Sequence, residues 1–270
     1  MRWSDLRPSG NVEDRRGISG GIAIGGGGIG ILLLALAIYM CGGDPSALLT
    51  EQPPVSGPAA NRPEPANDQN MAFAKAIEGS LEDTWKQVLP QQAGIQFRPP
   101  KLVIFTGQVA SACGYASAAT GPFYCPGDYN LYLDFAFFDE LRREFRAPGD
   151  FAEAYVIAHE FGHHIQNLMG TMDKVQRAGN SNRLSVALEL QADCYAGIWA
   201  NTAAKQGRLD QGDAEEAIRA AQAVGDDMIQ KRTQGYVVPD SFTHGSAQQR
   251  MQWLTRGMQS GSMKQCETFR

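Results

Sequence analysis

The feature that most constrains this chain is an apolar helical segment, Tyr155–Gln166, which carries His159-Glu160-Phe161-Gly162-His163. Residues four apart lie on one face of a helix, so His159 and His163 can bind one zinc ion. Glu160, one position along, can then hold the water that the metal activates. Apolar neighbours indicate that the helix is buried, and buried charged groups need partners. A metal ion fits this pattern better than a chance occurrence of the motif does.

Length and charge narrow the class of protein. With 270 residues, 43% of them hydrophobic, the chain can bury one sizeable core in one or two domains. The net charge of -5 is modest, and the sequence contains no arginine-rich run of the kind that neutralises phosphates. We therefore expect no nucleic-acid partner.

The N-terminal part predicts one membrane span. Residues 1–17 are polar, and Ile18–Met40 contains no charged residue and can cross a hydrocarbon core of roughly 30 Å as a helix. A cleaved signal is the alternative, but the residues before Cys41 suit no cleavage site, which favours an uncleaved signal-anchor. The arginines before the span should keep residues 1–17 in the cytoplasm. Glycines spaced four apart in the span also predict a weak homodimer.

The remaining chain predicts a linker and one folded domain. Residues 41–70 are rich in Pro, Ala, Gly and Asn, as in a flexible linker, so the domain should cover residues 71–270. Apolar spacing predicts a helix from Phe73 to Val88. Two strands are predicted at residues 101–106 and 130–138, and further helices at 151–169, 184–205, 210–231 and 247–258. The fold class is therefore α+β, mainly helical with a small β-sheet.

Four cysteines of the predicted domain are candidates for disulfides. Cys113 and Cys125 lie in one loop between the predicted strands, and outside the cytosol such thiols tend to pair. Cys194 and Cys266 would then form the second pair. Four cysteines allow three pairings, so the connectivity stays open at this point.

A catalytic zinc ion needs a third protein ligand. The third ligand cannot be the last histidine of an HExxHxxGxxH motif, because Gln166 and Met169 occupy the glycine and third histidine positions. Glu189 and Asp193 instead lie four apart on the next long helix, among apolar neighbours where unpaired carboxylates are costly. Glu189 is the candidate ligand, and Asp193 the candidate acceptor for a ligand histidine N–H. The alternative is that both acids pair with arginines such as Arg183.

The segments HEFGHHIQ, ELQADCYAGIWA and FTHGSAQQR resemble the bacterial neutral zinc metallopeptidases, single-span membrane proteins with a gluzincin-type peptidase domain. The segments NVEDRRG and GPFYCPGD fit the same family, so the resemblance covers nearly the whole chain. It implies a zincin-like domain of minimal gluzincin type with one Zn²⁺ per chain. It also implies His159, His163 and Glu189 as ligands, Glu160 as general base, and Asp193 as the accompanying acid.

The same resemblance suggests residues around the substrate. In related membrane peptidases a histidine followed by an arginine stabilises the oxyanion, and His244 and Arg250 match them, although Gly245 stands where those relatives often have Pro. Arg250 is expected to help His244 or to orient it. Phe123 and Tyr124 are candidate contacts for an extended substrate. His164 points about 100° away from His163 on the helix and is expected to be structural.

These observations predict a membrane-anchored zinc metallopeptidase that hydrolyses peptide bonds outside the cytoplasm. The expected location is the bacterial inner membrane, crossed once, with the catalytic domain on the periplasmic or extracellular side. Two alternatives stay open. One is a catalytically silent metal-binding interaction protein on a peptidase fold, and the other is a zinc amidase that acts on cell-wall peptide.

Overall fold

The computed structural model of the chain describes residues 1–17, 68–179 and 181–269, which belong to one compact unit. The predicted span Ile18–Met40, the predicted linker as far as Asn67, and Cys41 lie outside these residues, as does the homodimer expected from the Gly-rich span. Within the described part of the chain, no helix is both long and apolar enough to cross a membrane.

Helices make up most of the described structure, as the sequence predicts. They are α1 Gln69–Ala93, α2 Ala136–Arg143, α3 Asp150–Leu168, α4 Thr171–Arg177, α5 Asn182–Lys205, α6 Asp213–Ala223, α7 Asp226–Thr233 and α8 Ala247–Ser260. The predicted helix over 210–231 is two helices, because Gly225 packs against the backbone of Ala247 and interrupts it. Short 3₁₀ turns follow at residues 239–241 and 263–266.

The sheet is larger than the two strands that the sequence predicts. The strands are β1 Val12–Asp14, β2 Lys101–Phe105, β3 Gln108–Ser111, β4 Gly114–Ser117, β5 Phe123–Cys125 and β6 Asn130–Asp134. Four of them form a sheet in the order β1-β2-β6-β5, in which β5 is an antiparallel edge strand, while β3 and β4 form a separate hairpin. The predicted strand 130–138 ends at Asp134, whose carboxylate accepts the N–H of Ala136 and begins α2.

Residues 1–17 form part of this unit, which corrects the prediction of a separate N-terminal tail and of a domain that begins at residue 71. Leu102 N–H donates to the Asn11 carbonyl at 2.9 Å, and Arg15 N–H donates to the Ile104 carbonyl at 2.7 Å, so β1 completes the sheet. Strands that share hydrogen bonds must lie on the same side of a membrane. The expected placement of residues 1–17 apart from the domain, in the cytoplasm, therefore disagrees with this sheet.

The contact between α3 and α5 places the two parts of the predicted zinc site against each other. A Cβ added to Gly162 would lie only 2.9 Å from the Ala192 carbonyl oxygen, so the two helices approach at backbone distance. Farther along, Phe151 stacks on Trp199 with ring centroids 5.5 Å apart, and both side chains are fully buried. This packing turns the motif face of α3 toward the acidic face of α5.

Both predicted disulfides are present, Cys113–Cys125 and Cys194–Cys266. The first ties the β3–β4 hairpin to edge strand β5, and the second ties the C-terminal segment to α5 beside Asp193. Helix α8 lies across α5 so closely that a Cβ on Gly257 would meet the Cys194 carbonyl oxygen at 2.0 Å. The crossing delivers Arg250 to the same region of the core.

Candidate metal centre

The three predicted ligands converge in the structure. His159 Nε2 lies 3.1 Å from one carboxylate oxygen of Glu189, and His163 Nε2 lies 3.4 Å from the other. The three ligand atoms all lie within 4.8 Å of one another. The two imidazoles come from successive turns of α3, as the four-residue spacing predicts, and the carboxylate comes from α5.

These distances fit a zinc ion. Zinc bonds to histidine nitrogen and carboxylate oxygen of about 2.0–2.2 Å in tetrahedral geometry place neighbouring ligand atoms about 3.3–3.6 Å apart. The two nitrogen–oxygen distances of 3.1 and 3.4 Å lie close to that range. Two imidazoles, one carboxylate and one open position form a donor set typical of catalytic zinc.

Each histidine has a hydrogen-bond acceptor at its other ring nitrogen. His159 Nδ1 lies 2.8 Å from Asp193 Oδ1, and His163 Nδ1 lies 2.8 Å from the side-chain oxygen of Gln166. When Nδ1–H donates in this way, the lone pair of Nε2 faces the metal, and the ring orientation is fixed. The predicted position of Asp193 therefore agrees with the structure, whereas Gln166 is an additional partner.

Arg250 lies behind His159 and contacts Asp193 rather than His244. Its Nε and Nη2 donate to the two Asp193 oxygens at 2.8 and 2.9 Å, and Nη2 also donates to the Tyr155 hydroxyl at 3.1 Å. Both charged side chains are almost completely buried. Tyr155 in turn donates to Asp193 Oδ1 at 2.6 Å, so Asp193 is held from three directions.

Electrostatics in this cluster favour a bound cation. Burial alone would raise the pKa of Asp193, but Arg250 and His159 outweigh it and lower that pKa to about 2. Burial alone would lower the pKa of His159, but Asp193 and Glu189 raise it to about 10. The carboxylates that raise the pKa of His159 and of His163 also attract a divalent cation, which competes with protons for the two imidazoles.

Glu160 is half-buried and lines the cleft together with both histidines and Glu189. Burial raises the pKa of its carboxyl group above the usual value for glutamate. Among the described residues none forms a hydrogen bond or ion pair with the Glu160 carboxylate. The group is therefore free to bind water or a substrate proton.

His244 lines the same cleft and is held by an acid that the sequence analysis missed. Asp226 Oδ1 lies 3.2 Å from His244 Nδ1, and Asp226 Oδ2 accepts the backbone N–H groups of residues 243, 244 and 245 at 2.7–2.9 Å. The hydrogen bond to Asp226 is the main cause that raises the pKa of His244. About half of the His244 side chain is exposed, and its Nε2 is left for a ligand in the cleft.

Phe123 and Tyr124 of edge strand β5 also line the cleft. Phe123 stacks on Tyr132 with centroids 4.7 Å apart. The Tyr124 hydroxyl accepts from Asn167 at 2.8 Å and lies 3.2 Å from His164 Nδ1, so this group is already engaged within the protein. His164 itself is fully buried, its Nε2 donates to the Arg98 carbonyl at 2.7 Å, and burial lowers its pKa to about 4, which confirms a structural role.

Several residues around the site were not expected from the sequence. Tyr155, Gln166 and Asp226 act as hydrogen-bond partners of Asp193, His163 and His244. Gln166 lies three residues after His163 on the same helix, so its helical spacing was a usable signal. Asp226 lies 18 residues before His244, and no local pattern connects the two.

Comparison with known proteins agrees with this geometry. A family model described as "Putative neutral zinc metallopeptidase" matches residues 1–269. The chain is 44% identical over 284 residues to the uncharacterized protein YpfJ of Escherichia coli strain K12, an alignment that covers 100% of this chain and 99% of that protein. It is 43% identical over 206 residues to the uncharacterized protein Rv2575 of Mycobacterium tuberculosis, covering 72% of this chain and 69% of that protein.

No solved structure matches the chain. The family match spans the N-terminal residues that complete the sheet as well as the zinc motif, so it concerns the whole compact unit. The chain therefore belongs to the putative neutral zinc metallopeptidase family.

Proposed function

We propose that this protein is a zinc-dependent peptidase whose metal is held by His159, His163 and Glu189. The observation that carries the proposal is the convergence of these three ligand atoms within 4.8 Å in an open cleft, beside the Glu160 carboxylate, which has no partner in the described part of the chain. Membership of a zinc metallopeptidase family supports the choice of metal and reaction.

A zinc ion at this position would supply a Lewis acid that polarises a carbonyl group and acidifies a water molecule. Glu160 accepts the proton of the attacking water and returns it to the leaving amine. Its raised pKa makes the carboxylate a stronger base than an exposed glutamate.

His244 stabilises the charge that develops on the carbonyl oxygen. Asp226 fixes the orientation of the imidazole through Nδ1 and favours its cationic form, so Nε2–H is available to donate. Arg250 has a different role from His244. It holds Asp193, which orients His159, and is therefore a positioning residue.

The substrate lies extended along edge strand β5. An edge strand has backbone donors and acceptors that no neighbouring strand uses, and an extended peptide can pair with them. In this chain β5 lines the cleft through Phe123 and Tyr124. An extended polypeptide is thus the substrate that this edge fits.

Two disulfides within the compact unit support a location outside the cytoplasm, where such bonds persist. One disulfide connects β5 to the β3–β4 hairpin, and the other connects α5 to the C-terminal segment, so each holds an element of the site in place. We propose that the protein acts on polypeptides in an oxidising compartment. Attachment to the membrane stays a prediction from the sequence.

The decisive experiment compares Glu160→Gln with Glu215→Gln, an exposed glutamate of α6. Wild-type protein and both variants should bind one zinc ion per chain. Cleavage of unfolded protein should fall by at least 10²-fold in Glu160→Gln, because the general base is lost, and stay unchanged in Glu215→Gln. Protein that binds no zinc, or equal cleavage by wild type and Glu160→Gln, would contradict the proposal.

A further inference from the structure

We infer, on the basis of the proposed function, that the cleft selects substrates by a large hydrophobic side chain next to the scissile bond. The side chain would occupy the part of the cleft lined by Phe137, Phe145, Val156, Val224 and Ile229, which we call the apolar pocket. The cleft as a whole has a volume of about 580 Å³, enough for several residues of a peptide.

The apolar pocket lies directly beside the reacting groups. Val156 precedes Glu160 by four residues on α3, so it lies on the same helix face, about 6 Å away along the axis. An extended peptide advances about 3.3 Å per residue. A side chain of a residue that flanks the scissile bond can therefore reach Val156, whereas side chains several residues away cannot.

Two walls of the pocket come from α2 with the segment that follows it, and from α7. Phe137 and Phe145 contact each other with ring centroids 6.1 Å apart. On its outer side Phe145 is covered by the Arg232 guanidinium, 4.1 Å from the ring centroid, which also donates to the Glu144 carbonyl at 3.2 Å. Arg232 belongs to α7, the helix that carries Ile229, so this contact links the two walls of the pocket.

The chemistry of the lining favours an apolar occupant. All five side chains that form the pocket are hydrophobic, and four of them are partly exposed, so a ligand can cover them. Glu140, which also lines the cleft, is exposed and remains solvated when the pocket is filled. Burial of a leucine-sized or phenylalanine-sized side chain corresponds to a preference of about 10- to 100-fold over glycine.

The test compares Ile229→Asp with Met228→Asp. Both residues lie on α7, but Ile229 lines the cleft, whereas Met228 is 41% exposed and does not. A peptide library should show that wild-type protein and Met228→Asp cleave next to Phe or Leu about 10- to 100-fold faster than next to Gly or Asp. Ile229→Asp should lose this preference and favour Lys or Arg. Cleavage without a preference for large apolar side chains, or the same change in both variants, would overturn the inference.

A second measurement separates this inference from the proposed function. Zinc-loaded Glu160→Gln should bind a Phe-containing library peptide about 10- to 100-fold more tightly than the same peptide with Gly, and the added change Ile229→Asp should abolish the difference. If wild type cleaves no peptide but this binding difference is found, the proposed function fails and the pocket stands. If cleavage occurs but Phe and Gly peptides bind equally, the pocket assignment is wrong.

Discussion

The ion pair between Asp193 and Arg250 allows a quantitative test of how the metal centre is built. Asp193 is completely buried, Arg250 is 5% exposed in its side chain, and two hydrogen bonds of 2.8 and 2.9 Å join them. Removal of one member of such a pair leaves an uncompensated charge and costs about 3–5 kcal/mol. The near-isosteric change Asp193→Asn should therefore reduce the free energy of unfolding of chelator-treated protein by about that amount.

The same change should also weaken zinc binding. Asp193 accepts from His159 Nδ1 at 2.8 Å, and loss of such an orienting acceptor lowers metal affinity by about 10- to 100-fold. Urea denaturation measures the first effect, and competition with a chromophoric chelator measures the second. The two effects have different origins, the unpaired guanidinium and the reoriented imidazole, so a second substitution can separate them.

Asp193→Asn combined with Arg250→Met removes both charges of the pair. This double variant should regain more than half of the lost stability, because no unpaired charge remains buried, yet its zinc affinity should stay low. A loss of less than 1 kcal/mol in the single variant would refute the reasoning, as would a double variant whose destabilisation equals the sum of the two single ones.

Two further predictions concern α1 and the N-terminal segment. Glu78 is fully buried without a partner among the described residues, and burial, aided by Glu82, raises its pKa well above the usual value. Folded protein therefore retains a proton on Glu78 that unfolded protein loses above about pH 4.5, so the free energy of unfolding falls as pH rises. In urea denaturation at pH 5–7 this dependence has a slope of up to about 1.4 kcal/mol per pH unit, and Glu78→Gln should remove it. Glu82→Gln weakens hydrogen bonds to the N-terminal segment and should instead lower the free energy of unfolding at every pH. The same pH dependence in both variants would contradict this account. Replacement of residues 18–67 by a short Gly/Ser linker should preserve the folded circular dichroism spectrum, because Arg16 pairs with Asp68 across the two ends that the linker joins. Removal of residues 1–17 should instead expose the edge of β2 and cause unfolding or aggregation. Equal solubility of the two deletion variants would contradict the presence of an N-terminal strand.

Much of the metal centre could be predicted from local sequence patterns. Helical periodicity alone places His159 and His163 on one face of α3, and Glu189 and Asp193 on one face of α5. The apolar neighbours of these residues indicate burial, and burial in turn requires a partner for each charge. Both disulfide pairs were also proposed from the sequence, and the structure contains them.

The sequence was less informative where the partners are distant in the chain. Val12–Asp14 is too short and too polar to predict a strand, and it is ordered because β2 offers a free edge. Arg250 was expected near His244, but the crossing of α8 over α5 brings it to Asp193 instead. Asp226 was missed because it contacts His244 through a loop whose path no periodic pattern reveals.

The sequence by itself determined which residues can bind zinc and which of them share a helix face, because helix geometry fixes the relation between residues three or four apart. Only the tertiary structure decided how the two helices face each other, which side chains orient the ligands, and that residues 1–17 complete the sheet of the domain. These relations arise from packing and hydrogen bonds between segments far apart in the chain, for which spacing along the sequence carries no information.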